Sequence, residues 1–264
     1  VVLFTGPSAS HMTSIALVGA TGNLGRHVAA QALAAGWRLS VAVRSRARLL
    51  PEIAAHAQVS DIDLASAASA QIASFAAGHD VFVSCAGVVT EGEAFVDLVE
   101  RIATALESVG ENERPVCWFL AGAALLPLDN SGRLGVDLPR VRSTYWPHRK
   151  NYERLQRSPL DWRLLCPGPM VEEPAMGLKH LRISLDALPA PLPPITQALP
   201  APLVLPMFAM KIPEMIIPYA DAASVMLANA SPENSMARRR VGVALPAGMK
   251  GKKAQWAAQA RGAG

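Results

Sequence analysis

The chain has 264 residues, 51% of them hydrophobic and only 17% charged, with a formal net charge of +4. That length suits one large domain with a sizeable core, and the composition excludes a disordered chain or one that coats nucleic acid. No run of about 18 uncharged apolar residues has the shape of a membrane-spanning helix, so the expectation is a soluble, cytoplasmic protein.

In chain order, residues 1–11 read as a cloning remnant. Leu3-Phe4-Thr5-Gly6-Pro7 resembles a viral protease cleavage site and Ser8-Ala9-Ser10-His11-Met12 a cloning scar. One domain is expected over residues 12–249. Ile15-Ala16-Leu17-Val18 reads as a buried parallel strand. It enters Gly19-Ala20-Thr21-Gly22-Asn23-Leu24-Gly25, and a helical pattern then runs from Asn23 to Ala35 and stops at Gly36. A strand, three glycines at this spacing and a helix make a nucleotide-phosphate loop. Gly19 allows the tight turn, Gly22 admits a pyrophosphate, and Gly25 lets the helix pack on the strand. Thr21, Asn23 and Leu24 complete the loop, where the helix N-terminus offers free N–H groups.

Leu39–Val43 is the second strand, ending at Arg44-Ser45-Arg46. An NAD-specific site would carry an acid here, to accept from the ribose hydroxyls. Two guanidinium groups, on Arg44 and Arg46, suit a 2′-phosphate instead and predict NADP(H). Further on, Asp61 is placed beside the adenine, or else in an ordinary loop where Asp63 caps the next helix. Asp80–Gly87 is the fourth strand and its exit turn, where Ala86 and Gly87 leave room for the cofactor's ribose and pyrophosphate. Phe95, Leu98, Val99, Ile102, Leu106 and Val109 fall on one helix face, read as core packing, and Gly110 ends that helix. Val116–Leu120 is a fifth strand. The turn after it, with Ala123, lies at a strand's carboxyl end and should border the nicotinamide.

A helix is predicted over Arg142–Leu155, capped near Thr144, with Pro147 tolerated in its first turn. Its candidates for chemistry are Tyr145, His148 and Lys150. Asp161–Pro169 is a sixth strand and its proline-bound exit. The stretch 188–218 is rich in proline and apolar residues and nearly free of charge, and reads as a folded, loop-rich cover over the cofactor site. Met207, Phe208 and Met210 are its expected substrate contacts, with a homodimer interface as the other use of the segment. A helix capped by Asp221 covers Tyr219–Leu227, Arg240–Leu245 is the last strand, and residues 250–264 form a basic tail. Cys85, Cys117 and Cys166 lie at or near strands with no metal-ligand spacing, so reduced core cysteines and no metal are expected.

Gly19–Gly25, Val43-Arg44, Leu160-Asp161-Trp162 leading to Cys166-Pro167-Gly168, and Tyr219-Ala220-Asp221-Ala222-Ala223 together resemble the atypical short-chain dehydrogenase/reductases. The nearest branches are the NAD(P)H-binding proteins like biliverdin reductase B and flavin reductases, and the NmrA-like and isoflavone-reductase-like group. The resemblance implies an α/β fold of Rossmann type, a doubly wound parallel sheet. It also implies a lysine, Lys150, that holds the nicotinamide ribose or serves catalysis. The family's proton-donating triad is largely missing. Trp146 stands four residues before Lys150 where a tyrosine is usual, Tyr145 is one place off and has Arg149 as its i+4 neighbour, and Ala123 or Ala124 stands at the serine position. The expected function is an NADPH-dependent reductase of an apolar, aromatic or polycyclic small molecule, or of a flavin or quinone. The alternatives are a non-catalytic NADP(H)-sensing regulator, or an isomerase or cyclase on the same fold. No nucleic-acid partner is expected.

Overall fold

The computed structural model describes residues 12–232 and 234–251. The cloning-remnant reading of residues 1–11, and the tail beyond Gly251, lie outside the described residues. The chain runs β1 (Ser14–Val18), α1 (Asn23–Ala34), β2 (Arg38–Val43), α2 (Pro51–His56), β3 (Gln58–Asp61), α3 (Ser69–Ala76), β4 (Val81–Ser84), α4 (Glu93–Glu107), β5 (Val116–Leu120), α5 (Val141–Gln156), β6 (Trp162–Cys166), β7 (Met170–Val171), β8 (Arg182–Leu185), α6 (Ala201–Lys211), β9 (Ile217–Pro218), α7 (Tyr219–Ala228) and β10 (Arg240–Ala244).

Eight strands form one sheet in the order β3-β2-β1-β4-β5-β6-β10-β8. Every neighbouring pair is parallel except β10 with β8. The inner strands β1, β4, β6 and β10 are buried on both faces because helices cover both sides, while the edge strands β3 and β8 are partly exposed. Alternation along β1 shows this directly: Ile15 and Leu17 pack with α1, α2 and α7, while Ala16 and Val18 pack with α3, α4, α5 and α6. The chain leaves β1 towards β2 and β3, then returns to β4 on the other side of β1. That reversal puts a crevice at the carboxyl ends of β1 and β4, the place where such sheets hold ligands.

Three sequence expectations shift. The helix expected to be capped near Thr144 begins at Val141, after Arg140 in a left-handed conformation (φ 66°), so Pro147 sits inside α5 rather than in its first turn. Asp221 does not cap α7, whose N-cap is Pro218. Fully buried, it instead accepts from the backbone N–H groups of Met176 (2.8 Å) and Gly177 (2.9 Å), tying a distant loop to the helix. Asp63 is likewise no helix cap. Its carboxylate accepts from the Ala65 N–H at 3.2 Å, and Ala68 caps α3.

The proline-rich stretch is loop-like at first and then helical. Pro200 and Pro202 stand at the start of α6, where a missing N–H has no intrahelical partner to lose, and only Pro206 interrupts the interior. Val204 and Phe208 bury against the sheet side that carries α4 and α5, whereas Leu203 and Met210 are exposed. The turn after α6, Ile212–Met215, crosses the end of β6, where a side chain at Gly168 would meet Met215 at 2.6 Å.

Candidate functional site

The loop after β1 is shaped by its glycines in different ways. Gly19 has φ +82°, and a Cβ there would stand 2.6 Å from the Cys85 carbonyl carbon at the end of β4. A Cβ at Gly25 would overlap the Gly19 carbonyl oxygen. Both glycines are therefore demanded by the protein's own packing. Gly22 differs: it is exposed, and a Cβ would meet only the Gly19 oxygen, at 3.4 Å. What Gly22 keeps clear is space outside the protein.

That space faces the start of α1. Gly22 is the N-cap and supplies no side-chain acceptor, and the first turn has no acidic residue. The N–H groups and positive dipole end of α1 are left for an anion from elsewhere. A pyrophosphate fits this cradle. Thr21 is half-buried in the loop, Asn23 is exposed and donates to the Tyr219 hydroxyl at 3.4 Å, and the Leu24 side chain is in the core. Ala86 is half-buried beside Gly19. Gly87 has φ +88° and lies so close to Phe95 that a Cβ would be 2.5 Å from its ring.

At the end of β2 the two arginines part company. Arg46 is held by Asp61, with Nε 3.0 Å from each carboxylate oxygen and a terminal nitrogen 2.9 Å from the Val59 carbonyl. Asp61 is thus occupied by Arg46 in this structure. Arg44 is exposed and has no side-chain partner among the described residues. Arg48, which the sequence analysis does not single out, is also exposed and has no side-chain partner among the described residues; its signal in the sequence is a third arginine after Arg44 and Arg46.

The third part of the site is at the end of β5. Ala123 and Ala124 are buried there and bring no hydroxyl. Facing them is α5, whose buried residues include His148. Its Nε2 lies against Gly122, 3.2 Å from where a Cβ would be. The ring meets Phe95 edge-on at 5.7 Å and stacks on Tyr145 at 6.1 Å. Burial pushes the His148 pKa down to about 4, so the imidazole is neutral at pH 7. Its Nδ1, and both amide atoms of buried Asn151 one turn on, have no hydrogen-bond partner.

Lys150 is two residues beyond His148, roughly 200° around the helix. Its Nζ is 3.0 Å from Glu93 and 4.9 Å from the Trp146 ring centroid. The structure does not bring it to the turn after β5. Nor are the α6 residues gathered at one face: Phe208 is in the core, Met207 half-buried and Met210 68% exposed. Desolvation raises the thiol of half-buried Cys85 to about 12, and it raises those of buried Cys117 and Cys166 as well, away from the thiolate form.

Residues 19–187 match the family described as NAD(P)H-binding. No curated protein matches the chain. Among solved structures, it resembles a Burkholderia pseudomallei protein named in connection with export, with 21% identity, a TM-score of 0.64, and coverage of 88% of this chain and 100% of that one. ChuY, an anaerobillin reductase from Escherichia coli O157:H7, gives 14% identity and a TM-score of 0.59 over 89% and 98% of the two chains. A short-chain dehydrogenase/reductase from Veillonella parvula in complex with NADP gives 16% and 0.59 over 89% and 95%. At these identities the similarity is one of fold. Among the described residues, no helix is long and apolar enough to cross a membrane.

Proposed function

This chain belongs to the NAD(P)H-binding family, and from that premise we propose that it is an NADPH-dependent reductase of an apolar, aromatic or polycyclic small molecule, or of a flavin or quinone. The bound cofactor supplies the hydride. The chain's part is to hold, orient and exclude water. The backbone from Gly19 to Gly25 and the start of α1 bind the pyrophosphate. Arg44 donates to the 2′-phosphate, and Arg46 reaches it by leaving Asp61. Ala86 and Gly87 leave room for the central ribose. Lys150 contacts the nicotinamide ribose if it exchanges Glu93 for the sugar hydroxyls.

The observation that carries the reductase reading is His148: a buried, neutral imidazole facing the turn after β5, beside Tyr145. A neutral ring is a poor source of a full proton at pH 7, so its role is to hydrogen-bond and orient the acceptor, with Tyr145 as pocket wall or donor. The unpartnered polar atoms of His148 and Asn151 support a ligand or enclosed water here, because such groups are costly when nothing completes them. An acceptor that takes its proton from water needs no catalytic tyrosine. Small residues such as Ala123 leave room for a flat ring, with Met207 as the α6 residue nearest to a lining role.

A second reading has its own observation. Ala123 and Ala124 lack hydroxyls and Trp146 replaces the usual tyrosine, which suits a protein that senses NADP(H) without turnover. NADPH oxidation followed against a panel of flavins, quinones and enones separates the two. Turnover on at least one acceptor, lowered in His148→Leu with NADPH affinity retained, is the expected result. Tight NADPH binding with no oxidation on any acceptor supports the sensor. A cytoplasmic location and a homodimer through the exposed α6 residues Leu203 and Met210 complete the proposal.

A further inference from the structure

A second cleft, of about 780 Å³, lies on the outer side of α5. Its size is that of a small-molecule pocket, roughly 300–1,000 Å³. One wall is the stretch 136–140. The other is a single face of α5 bearing Arg142, Trp146, Arg149 and Glu153, spaced three or four residues apart. His148 and Asn151 are on the opposite, sheet-facing side of the helix. The cleft and the turn after β5 are therefore separate places.

The charges in this cleft are unevenly matched. Arg149 is neutralised by an ion pair with Asp137, and Lys150 by Glu93 at 3.0 Å. Arg140 and Arg142 have no side-chain partner among the described residues. Glu153 is unpaired too, but it stands eleven residues beyond Arg142, about 16 Å along the helix axis. Trp146 lies between these ends. The cleft thus has a cationic end, an aromatic middle and an acidic end.

We propose that this cleft binds a planar aromatic carboxylate, with the acid group on Arg140 and Arg142 and the ring against Trp146. Guanidinium groups match a carboxylate in bidentate geometry, and an indole offers a flat apolar surface. Glu153 sets the direction, since an acid placed at that end would be repelled. A cleft of this size, flanked on two sides, suits a small molecule. The proposal does not depend on hydride transfer.

The test is calorimetric titration of 2-naphthoate and its neutral amide, 2-naphthamide, into the protein with NADP⁺ present and at low salt. The acid should bind at least tenfold tighter than the amide. Arg142→Glu combined with Arg140→Asn should abolish that preference, asparagine being chosen because it tolerates a left-handed backbone. Trp146→Leu should weaken both ligands, and NADPH affinity should stay unchanged in the charge variant. No binding of naphthoate at millimolar concentration, equal binding of acid and amide, or undiminished binding by the charge variant overturns the proposal.

Discussion

Gly22 and Gly25 lie one helical turn apart, yet a Cβ at the first makes only an ordinary contact with the Gly19 carbonyl oxygen, at 3.4 Å, while one at the second would overlap that oxygen. Gly25→Ala should therefore act on the fold itself, costing roughly 1–3 kcal/mol as overpacking does. A lowered urea midpoint is the readout; an unchanged one contradicts the packing described. Arg44→Ala should leave stability alone and erode the preference for NADPH over NADH by about ten- to a hundredfold, the worth of a charge-assisted bond of roughly 1.5–3 kcal/mol. Arg46→Ala should erode it less, because Arg46 first has to leave Asp61. Equal binding of NADPH and NADH by the unaltered protein would remove the role given to Arg44. His148 makes a prediction about pH. Its folded pKa of about 4 lies below the ordinary imidazole value of about 6.5, so the unfolded chain binds the extra proton. Stability should fall as pH drops through that window, by about 3 kcal/mol in all, and level off below it. His79, also lowered by burial, adds to the same slope. His148→Leu should flatten the stability–pH curve there; an unaltered slope means the ring is not buried as described.

Among the elements, α6 and α7 show where sequence patterns run out. The glycine loop, the strand at Leu39–Val43 and the stripe on α4 were legible because local spacing determines them. Phe95, Val99, Ile102 and Leu106 repeat at helical intervals whatever the rest of the chain does. Asp221 was misread as a cap because its partners, Met176 and Gly177, are more than forty residues away in sequence. The helix α6 was hidden by prolines that two initial positions absorb at little cost. The sequence offers His148 as a candidate for chemistry but not its burial, which depends on how α5, beginning at Val141, packs on the sheet. Asp221→Ala should lower stability by roughly 1.5–3 kcal/mol by stripping two buried N–H groups of their acceptor. On α6, Phe208→Ala should cost about 3–5 kcal/mol, as buried aromatic truncations do, and Met210→Ala within about 0.5. Equal, small effects at both positions would point to a mobile cover in place of a packed helix.

At the scale of the whole molecule, the sheet brings together three chain segments that are distant in sequence: the loop after β1, the end of β2 and the turn after β5. Ion pairs brace the helices around them. The Arg154 hydrogen bond holds Glu107 below the usual carboxylate range, and Lys211 and Arg182 do the same for Glu214. Such groups stabilise the fold above their unfolded pKa and lose that contribution as pH falls through the folded value, so a second acid step should follow the histidine one. The account as a whole depends on a dinucleotide lying against Gly22. Calorimetric titration of NADPH into the unaltered protein and into Gly22→Val measures this most directly. The account predicts that the variant unfolds at nearly the same urea concentration and fails to bind NADPH. A folded Gly22→Val protein that binds NADPH as tightly as the unaltered chain would contradict it.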